Sequence, residues 1–519
     1  MWTQSYKVYR SILSGLTANI YLLTPEFILA GLALFVLAVD LFLPDDKKAI
    51  LPIICICGLV LVALVSMMML PGVNISLYGG LLAVDAFSLF FKIVFLLIAV
   101  FIILSSAQYI KQHLSHQGEF YGLLLFSVLG MNIMVQSREL LTAYIALELL
   151  SFSLYVMVAY SLNNSKSNEA GLKYIIVGAF SSAVLLYGLS MLYGATGVTK
   201  FADIGMILSG TSDLSPALWV GVALIFVGLG FKLSIVPFHM WAPDTYEGAP
   251  LPVTAYLAIA SKTAAFALVL RFVCEGMIVA ESLWQEWQII FAVLAAISML
   301  AGNLVALAQT NMKRLMAYSS IGHIGYILAG VTVLSTDSLV AANSVSFYLV
   351  GYAVTNMVVF AAIIAFFNST GNDDIASLRG LADSQPLLAA AIAIGLFSLA
   401  GLPIFAGFTV KFYLFAAVAS SGFLWLAGVA ILASLISLYY YLQIIRQMYI
   451  EGSDNSGHSS PDDAHGVISA SGTVSLPRTS FSTTLVLGIG LILVIWLGVY
   501  PGPLLEIIEC ASEALIGLS

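Results

Sequence analysis

Residues 50–70 read ILPIICICGLVLVALVSMMML, a run without a single charged side chain. A helix needs about 17–25 mostly apolar residues to cross the hydrocarbon core of a bilayer, so this stretch predicts a transmembrane helix. Comparable apolar runs cover residues 27–43, 87–105 and 485–500. They lack the alternation of apolar and polar residues that is typical of barrel strands, so we predict that the spans are helical.

The composition of the whole chain supports the same class. Of its 519 residues, 61% are hydrophobic and only 9% are charged, and the mean hydropathy is +1.03. Soluble domains carry about 25% charged residues, so a soluble enzyme is excluded. The net charge of −8 comes mostly from acids in predicted loops, and no basic cluster suggests binding to nucleic acid. The four cysteines lie in or beside apolar runs, without a cluster of His or Cys, so we expect no metal site.

We predict an all-α integral membrane protein with about fourteen transmembrane helices. The predicted spans cover residues 24–43, 49–70, 81–108, 119–136, 139–160, 170–194, 217–239, 252–273, 288–308, 312–334, 341–367, 386–420, 423–449 and 482–504. Two of them contain helix-breaking residues: the seventh runs into Pro237 and Pro243, and Gly401-Leu402-Pro403 lies inside the twelfth. Interrupted helices survive in a membrane where they line a polar cavity, so both breaks indicate functional segments.

Basic residues in the predicted loops indicate the orientation of the chain. Ten Lys and Arg residues lie in or beside the odd-numbered loops, and five, among them Arg271, lie on the opposite side. Because basic residues favour the cytoplasmic side, we expect both termini to lie outside the cytoplasm. Residues 450–481 are rich in Ser, Gly, Asp and His, and we interpret them as a flexible cytoplasmic linker.

Four lysines, Lys92, Lys232, Lys262 and Lys411, lie inside predicted spans, and Glu148 is the one acid expected deep in the membrane. Each such charge costs at least about 2.5–3.5 kcal/mol at the bilayer centre, so proteins keep these groups where they pair or use them. Structural ion pairs alone account poorly for three central basic residues and one acid. A buried lysine can release its proton near neutral pH, and a nearby carboxylate opposes that release, so Glu148, Lys232, Lys262 and Lys411 form a candidate proton relay.

Four further residues have two possible interpretations each. Lys92 follows Asp85 by two helical turns, which favours a structural pair or snorkelling over transport. Lys173 lies in the first turn of its span and could either snorkel or continue the relay. His239 and His323 lie beside breaks or lysines, where packing and proton relay are equally plausible roles.

A weak repeat links these residues to the two breaks. Glu148 precedes Lys232 by 84 residues, and His323 precedes Lys411 by 88. Both lysines lie on interrupted spans. Paired interrupted segments are typical of transporters built from inverted repeats, with their site near the middle of the membrane.

Four stretches resemble one known family. They are GFKLSIVPFHMWAPDTYEGAPLPV at residues 230–253, SNEAGLKY at 167–174, MKRLMAYSSIGHIGY at 312–326 and SLAGLPIFAGF at 398–408. These motifs resemble the antiporter-like proton-translocating membrane subunits of respiratory complex I (NADH–quinone oxidoreductase), and among them subunit N, also called subunit 2. The likeness covers about residues 20 to 505.

The resemblance implies a specific architecture. Three N-terminal helices (residues 1–110) precede two inverted five-helix repeats (119–273 and 288–449), each with one interrupted helix, then the loop 450–481 and a last helix with the C-terminus (482–519). It implies that Glu148 pairs with Lys232, that Lys262 is the central relay and that Lys411 faces the opposite exit. Lys173 and His239 match further polar positions. The lysine at 411 and the chain end soon after the last span favour subunit N.

The resemblance also implies the function. The subunit would couple electron transfer to quinone in partner subunits to proton pumping. NADH or another donor, flavin, iron–sulfur clusters and quinone would belong to those partners, with no cofactor on this chain. Gly228-Leu-Gly230 lies in an apolar span and is no dinucleotide loop.

The implied partners are neighbouring antiporter-like and small membrane subunits. The implied location is a bacterial inner membrane or an energy-transducing organelle or thylakoid membrane. Alternatives are a subunit of the ferredoxin-driven photosynthetic complex, a subunit of a multi-subunit cation/proton antiporter, and a scaffold without transport.

Overall fold

The computed structural model describes residues 19–70, 73–210, 215–449 and 480–517. Most of these residues are helical. The helices of eight or more residues are Thr24–Phe42 (α1), Leu51–Met69 (α2), Ala86–His113 (α3), Gln117–Gln136 (α4), Leu140–Val158 (α5), Ser165–Thr196 (α6), Phe201–Gly210 (α7), Pro216–Leu233 (α8), Trp241–Gly248 (α9), Leu251–Met277 (α10), Glu281–Ala306 (α11), Met312–Thr332 (α12), Ser338–Thr370 (α13), Pro386–Ala400 (α14), Ala406–Ser420 (α15), Leu424–Tyr449 (α16), Phe481–Val499 (α17) and Gly502–Ile516 (α18).

Several helices begin directly after a residue whose side chain accepts a hydrogen bond from a backbone N–H of the first turn. Asp85 accepts from Ser88 before α3, Asn311 accepts from Arg314 before α12, and Asp337 accepts from Val340 before α13. Such caps satisfy donors that have no partner within the helix. Local sequence therefore fixes where these helices start.

The predicted all-helical class is confirmed, and the segment before α3 corrects only the start of the third predicted span. A short antiparallel hairpin, Ile75–Leu77 (β1) and Leu82–Val84 (β2), pairs Ile75 with Val84 and Leu77 with Leu82. Two glycines with positive φ, Gly79 and Gly80, lie in its turn. The predicted span 81–108 is therefore wrong at its start, and α3 begins at Ala86.

Both predicted interruptions are present. Helix α8 ends at Leu233, and Ser234 adopts a left-handed conformation before the loop that leads to α9. Helix α14 ends at Ala400, Gly401 has a φ of 88°, and α15 begins at Ala406. Each break frees backbone groups in the middle of an otherwise apolar segment, where side chains must satisfy them.

Twelve helices in the described part of the chain are long and apolar enough to cross a membrane. Helix α12 is not among the twelve. Helices α14 and α15 are not among them either, because each has only 15 residues. The count of fourteen and the inverted relation of the two halves stay predictions. The sequence did not predict α7 or α18. The linker 450–481 falls almost wholly on residues 450–479, which lie outside the described residues.

Helices α10 and α13 form the centre of the molecule. Both are buried along nearly their whole length, whereas α2, α6, α16 and α17 expose many apolar side chains. Tyr352 of α13 donates a hydrogen bond to the carbonyl oxygen of Ala258 on α10 at 3.2 Å. Polar side chains on α10 are therefore held far from water by surrounding helices.

Candidate functional site

The first cluster of the site joins Glu148 on α5 to Lys232 at the end of α8. Lys232 Nζ lies 3.3 Å from Glu148 Oε1 and also donates to Ser151 Oγ at 2.8 Å and Tyr155 Oη at 3.1 Å. Ser182 on α6 donates to the same Glu148 oxygen at 2.6 Å. The pair is nearly buried, and hydroxyl groups that can accept and donate protons surround it.

Lys262 on α10 has a different environment. Its Nζ donates to Ser320 Oγ on α12 at 2.7 Å and lies 5.4 Å from the ring centre of Tyr246 on α9. Lys262 is 1% exposed, and none of the ion pairs among the described residues includes it. A π-helical turn, Leu257–Ser261, directly precedes it. Such turns widen a helix locally and are frequent at functional sites.

Helix α12 leads from Lys262 towards Lys411. Ser320, His323 and Tyr326 follow one another at intervals of three residues, which places them along one face. Ser320 contacts Lys262, and the Tyr326 ring centre lies 5.2 Å from Lys411 Nζ. His323 stands between them, buried, with its Nδ1 2.7 Å from Tyr348 Oη. This face therefore connects the two lysines by polar side chains.

Lys411 on α15 satisfies the break between α14 and α15. Its Nζ donates to the carbonyl oxygens of Leu399 and Ala400, at 2.8 and 3.2 Å, and to Ser434 Oγ on α16 at 2.8 Å. The broken helix thus supplies the oxygens that hold the amine. A cleft of about 620 Å³ between α15 and α16 reaches Lys411 from the outside of the protein.

The model of one protein family, described as NADH:quinone oxidoreductase/Mrp antiporter, matches residues 137–437. This range includes the row of buried or nearly buried groups described above, namely Glu148, Lys232, Lys262, His323 and Lys411. A curated protein from Heliobacterium modesticaldum, NADH-quinone oxidoreductase subunit N, is 40% identical over 498 residues, covering 96% of this chain and all of the relative. The chain belongs to the family of NADH–quinone oxidoreductase subunit N.

One solved structure agrees with this membership, and another shows the same fold. One chain of respiratory complex I from Thermus thermophilus, in a structure with bound aureothin, is 30% identical to this subunit N family member, with a TM-score of 0.74. The match covers 93% of this chain and 98% of that chain. A chain of the Mrp complex from Dietzia sp. DQ12-45-1b has a TM-score of 0.79 at 21% identity, covering 95% of this chain and 98% of that one. That second likeness shows a shared fold.

Of the three residues that the sequence offered as further relay groups, Lys173, His239 and His323, the first two lie outside this row. Lys173 is half-exposed and pairs with Glu169 at 2.8 Å and with Asp244 on α9 at 3.0 Å. His239 lies half-buried in the loop between α8 and α9. Of the three, only His323 lies on the α12 face that joins Lys262 to Lys411.

The predicted partner of Lys92 is wrong. Lys92 Nζ lies 2.6 Å from Glu26 Oε1. Asp85 instead accepts one hydrogen bond from each terminal nitrogen of Arg271, both at 2.9 Å. Glu26 is also more buried than Glu148, so burial alone does not distinguish Glu148 from other acids. The structural role favoured for Lys92 agrees with this closed pair.

Sequence reasoning missed a buried cluster around Arg271, which it placed among loop residues. Arg271 is 0% exposed and also contacts Glu275 Oε1 at 3.0 Å and the carbonyl oxygen of Val135 at 2.8 Å. Arg138 completes the cluster through Glu275 Oε2 at 2.7 Å. The spacing of Arg271 and Glu275, four residues on one helix, was a usable signal for an ion pair.

Among the residues that the structure describes, no group of three or more His, Cys, Asp or Glu side chains could hold a metal ion. The described part of the site consists of amines, a carboxylate, an imidazole and hydroxyl groups. Groups of these kinds can take up and release protons. The absence of a cofactor from this chain stays a prediction.

Proposed function

We propose that this chain is a proton-translocating membrane subunit of an NADH–quinone oxidoreductase. The observation that carries the proposal is the row itself: the Glu148–Lys232 pair, then Lys262, His323 and Lys411, all buried or nearly buried on neighbouring helices. Ionisable groups inside a membrane are rare, and those that are not held in closed ion pairs commonly mark proton or substrate pathways. Relatives at about 40% identity, named subunit N over nearly their whole length, support the assignment to this complex.

Each group in the row suits proton transfer. When Lys232 gives up a proton, it becomes a neutral amine and leaves Glu148 without its cation, so the carboxylate favours the uptake of the next proton. Ser320 accepts a hydrogen bond from Lys262 and donates its own hydroxyl hydrogen to the carbonyl oxygen of Ala317 at 2.6 Å, so the hydroxyl has to turn towards another acceptor to pass a proton on. The imidazole of His323 lies one turn further on α12, and the amine of Lys411 follows.

We propose the same arrangement of segments that the resemblance implies. Residues 1–110 form an N-terminal unit, residues 119–273 and 288–449 form two inverted half-channels, and 450–481 and 482–519 form the loop and final segment. Fourteen crossings result if α12 spans the membrane and α14 with α15 together make one interrupted crossing. An even number of crossings puts both termini on the same side, and the basic residues of the loops favour the side outside the cytoplasm.

Electron transfer belongs to partner subunits in this proposal. NADH or another donor, flavin, iron–sulfur clusters and quinone are held there, and this chain contacts neighbouring antiporter-like and small membrane subunits. The apolar surfaces of α6 and α16 provide faces for lipid or such neighbours. The Mrp-like fold leaves a cation/proton antiporter subunit as the second candidate, which the relatives at 40% identity disfavour.

The test is proton uptake by inverted membrane vesicles that carry Glu148→Ala. We expect electron transfer and assembly to persist and proton uptake to fall to a small fraction of the parent value. Glu281→Ala, which removes an exposed carboxylate in the first turn of α11, is the matched control and should pump like the parent. Near-normal pumping by Glu148→Ala would contradict the proposal.

A further inference from the structure

The short helix α9, Trp241–Gly248, lies between the two main proton-carrying groups of the first half. At its start, the Trp241 indole donates a hydrogen bond to the carbonyl oxygen of Phe231, the residue before Lys232, at 2.9 Å. The same indole stacks on Tyr174, with ring centres 4.6 Å apart. Tyr174 in turn packs edge-on against Tyr155, which accepts a hydrogen bond from Lys232. The start of α9 therefore contacts the surroundings of the Glu148–Lys232 pair.

The other end of α9 contacts Lys262. Tyr246 is fully buried, and its ring centre lies 5.4 Å from Lys262 Nζ. Gly248 lies so close to α6 that a side chain there would collide with the carbonyl group of Lys166. One eight-residue helix thus contacts the surroundings of the Glu148–Lys232 pair at its start and Lys262 itself near its end. The position of this helix sets where the Tyr246 ring lies relative to Lys262.

Ion pairs attach α9 to two long helices. Asp244 accepts from Lys173 Nζ on α6 at 3.0 Å and from Arg314 Nη1 on α12 at 2.8 Å. Glu247 accepts from the same Arg314 nitrogen at 3.1 Å and from Lys166 at 3.4 Å. Helix α12 also carries Ser320, the hydrogen-bond partner of Lys262. Asp244 therefore joins the helix beside the first cluster to the helix that leads from Lys262 to Lys411.

We propose that Asp244 is a positioning residue, which holds α9 so that the Tyr246 ring stays against Lys262 and the two proton-carrying centres remain coupled. The inference rests on the proposed function and adds a part to it that lies outside the row. An isolated helix of two turns has little stability of its own, so side-chain anchors decide where it lies. Half-exposed ion pairs contribute little to global stability, so their loss should affect coupling more than folding.

The first experiment measures protons translocated per electron by the assembled complex with Asp244→Asn in vesicles. We expect the ratio to fall at least twofold while the amount of assembled complex and the rate of electron transfer stay near the parent values. The conservative variant Asp244→Glu keeps the charge and should recover most of the ratio. Glu169→Gln removes the other carboxylate of Lys173 without touching α9, and it should leave the ratio unchanged.

The second experiment asks whether Asp244 acts through Tyr246. Tyr246→Leu removes the ring beside Lys262 and should lower the ratio by itself. If Asp244 positions that ring, adding Asp244→Asn to Tyr246→Leu lowers the ratio little further, because the two changes disturb the same contact. Independent, multiplying effects of the two changes would overturn the inference.

The outcomes separate this inference from the proposed function. Loss of pumping by Glu148→Ala together with a normal ratio for Asp244→Asn would overturn the role of Asp244 alone. Normal pumping by Glu148→Ala would overturn the proposed function. Failure of Asp244→Asn to assemble, with normal assembly of Asp244→Glu, would assign Asp244 a structural role and overturn the inference as well.

Discussion

Lys262 and Arg271 lie nine residues apart on the same helix and are almost completely buried, yet their partners differ in kind. Arg271 faces two carboxylates, Asp85 and Glu275, which fix it in place. Lys262 faces a serine hydroxyl and a tyrosine ring, and none of the ion pairs in the described part of the chain includes it. Lys92, paired with Glu26, resembles Arg271, whereas Lys411 resembles Lys262.

The difference separates cations that hold helices together from cations that can change their charge. A guanidinium group stays protonated at physiological pH, and two carboxylates stabilise only that charged form. An amine that faces neutral oxygens has no carboxylate to stabilise its ammonium form, so proton release costs it less. Lys232, with Glu148 as its single carboxylate partner, stands between the two groups.

The largest effect is expected from removing the structural cation. Arg271→Met leaves the buried Asp85 carboxylate without its cation, and breaking a buried pair in this way costs about 3–5 kcal/mol. We expect little or no assembled complex on native gels and a lower thermal midpoint for what remains. Lys262→Met is the matched control on the same helix. It orphans no carboxylate, so it should assemble; equal loss of assembly in both variants would remove the distinction between the two groups.

A carboxylate at the far lysine should disturb coupling with smaller effects on assembly. In Lys411→Glu, an ionised side chain would face the carbonyl oxygens of Leu399 and Ala400, which can only accept hydrogen bonds. We expect the complex to assemble and to pump poorly, measured as proton uptake per electron. Pumping at the parent level would mean that the break tolerates either charge, and that the neutral-oxygen environment is not what matters.

A shorter acid should have a milder effect than its removal. Glu148→Asp keeps the charge but shortens the reach towards Lys232 and Ser182. We expect proton uptake between that of the parent and that of Glu148→Ala. If Glu148→Asp pumps no better than Glu148→Ala, the carboxylate must be held at a fixed distance from Lys232. Lys232 would then resemble Arg271 and Lys92, whose carboxylate partners fix them in place.

The smallest effect concerns the half-exposed pairs of α9. Burial raises the pKa of Asp244, but the hydrogen bonds and charges of Lys173 and Arg314 outweigh it and hold the pKa below its ordinary value. A lowered pKa contributes stability above the ordinary value of an aspartate, and that stability is lost as the pH falls through the lowered pKa. The thermal midpoint of the assembled parent should therefore fall slightly more steeply on acidification than that of Asp244→Asn. Parallel curves would show that these pairs contribute nothing measurable.

The sequence predicted the helical membrane fold and the two breaks because long apolar runs, prolines and glycines act locally. It could not predict the partner of Lys92, since Glu26 lies 66 residues away and only helix packing brings the two together. The hairpin before α3 is only three residues per strand, too short for its pattern to stand out from the apolar span that follows.

The candidate site was predictable in part. Charges in apolar spans identified Glu148, Lys232, Lys262 and Lys411, and the structure brings Glu148 and Lys232 together. Ser320 and Tyr246 were missed because hydroxyl and aromatic residues are common in helices and have no distinctive spacing. Arg271 was assigned to a loop because a charge near the end of a span looks interfacial, while its burial depends on Asp85, 186 residues away.

The proposed role of Lys262 as a proton carrier is tested most directly by comparing Lys262→Arg with Lys262→Ala in assembled complexes. The measurement is proton uptake per electron transferred in inverted vesicles, with assembly checked on native gels. A proton carrier must release its proton, and a guanidinium does not do so at physiological pH, so both variants should fail to pump. A structural cation like Arg271 would tolerate arginine. Recovery of pumping by Lys262→Arg but not by Lys262→Ala would therefore show that Lys262 is a structural cation and not a proton carrier.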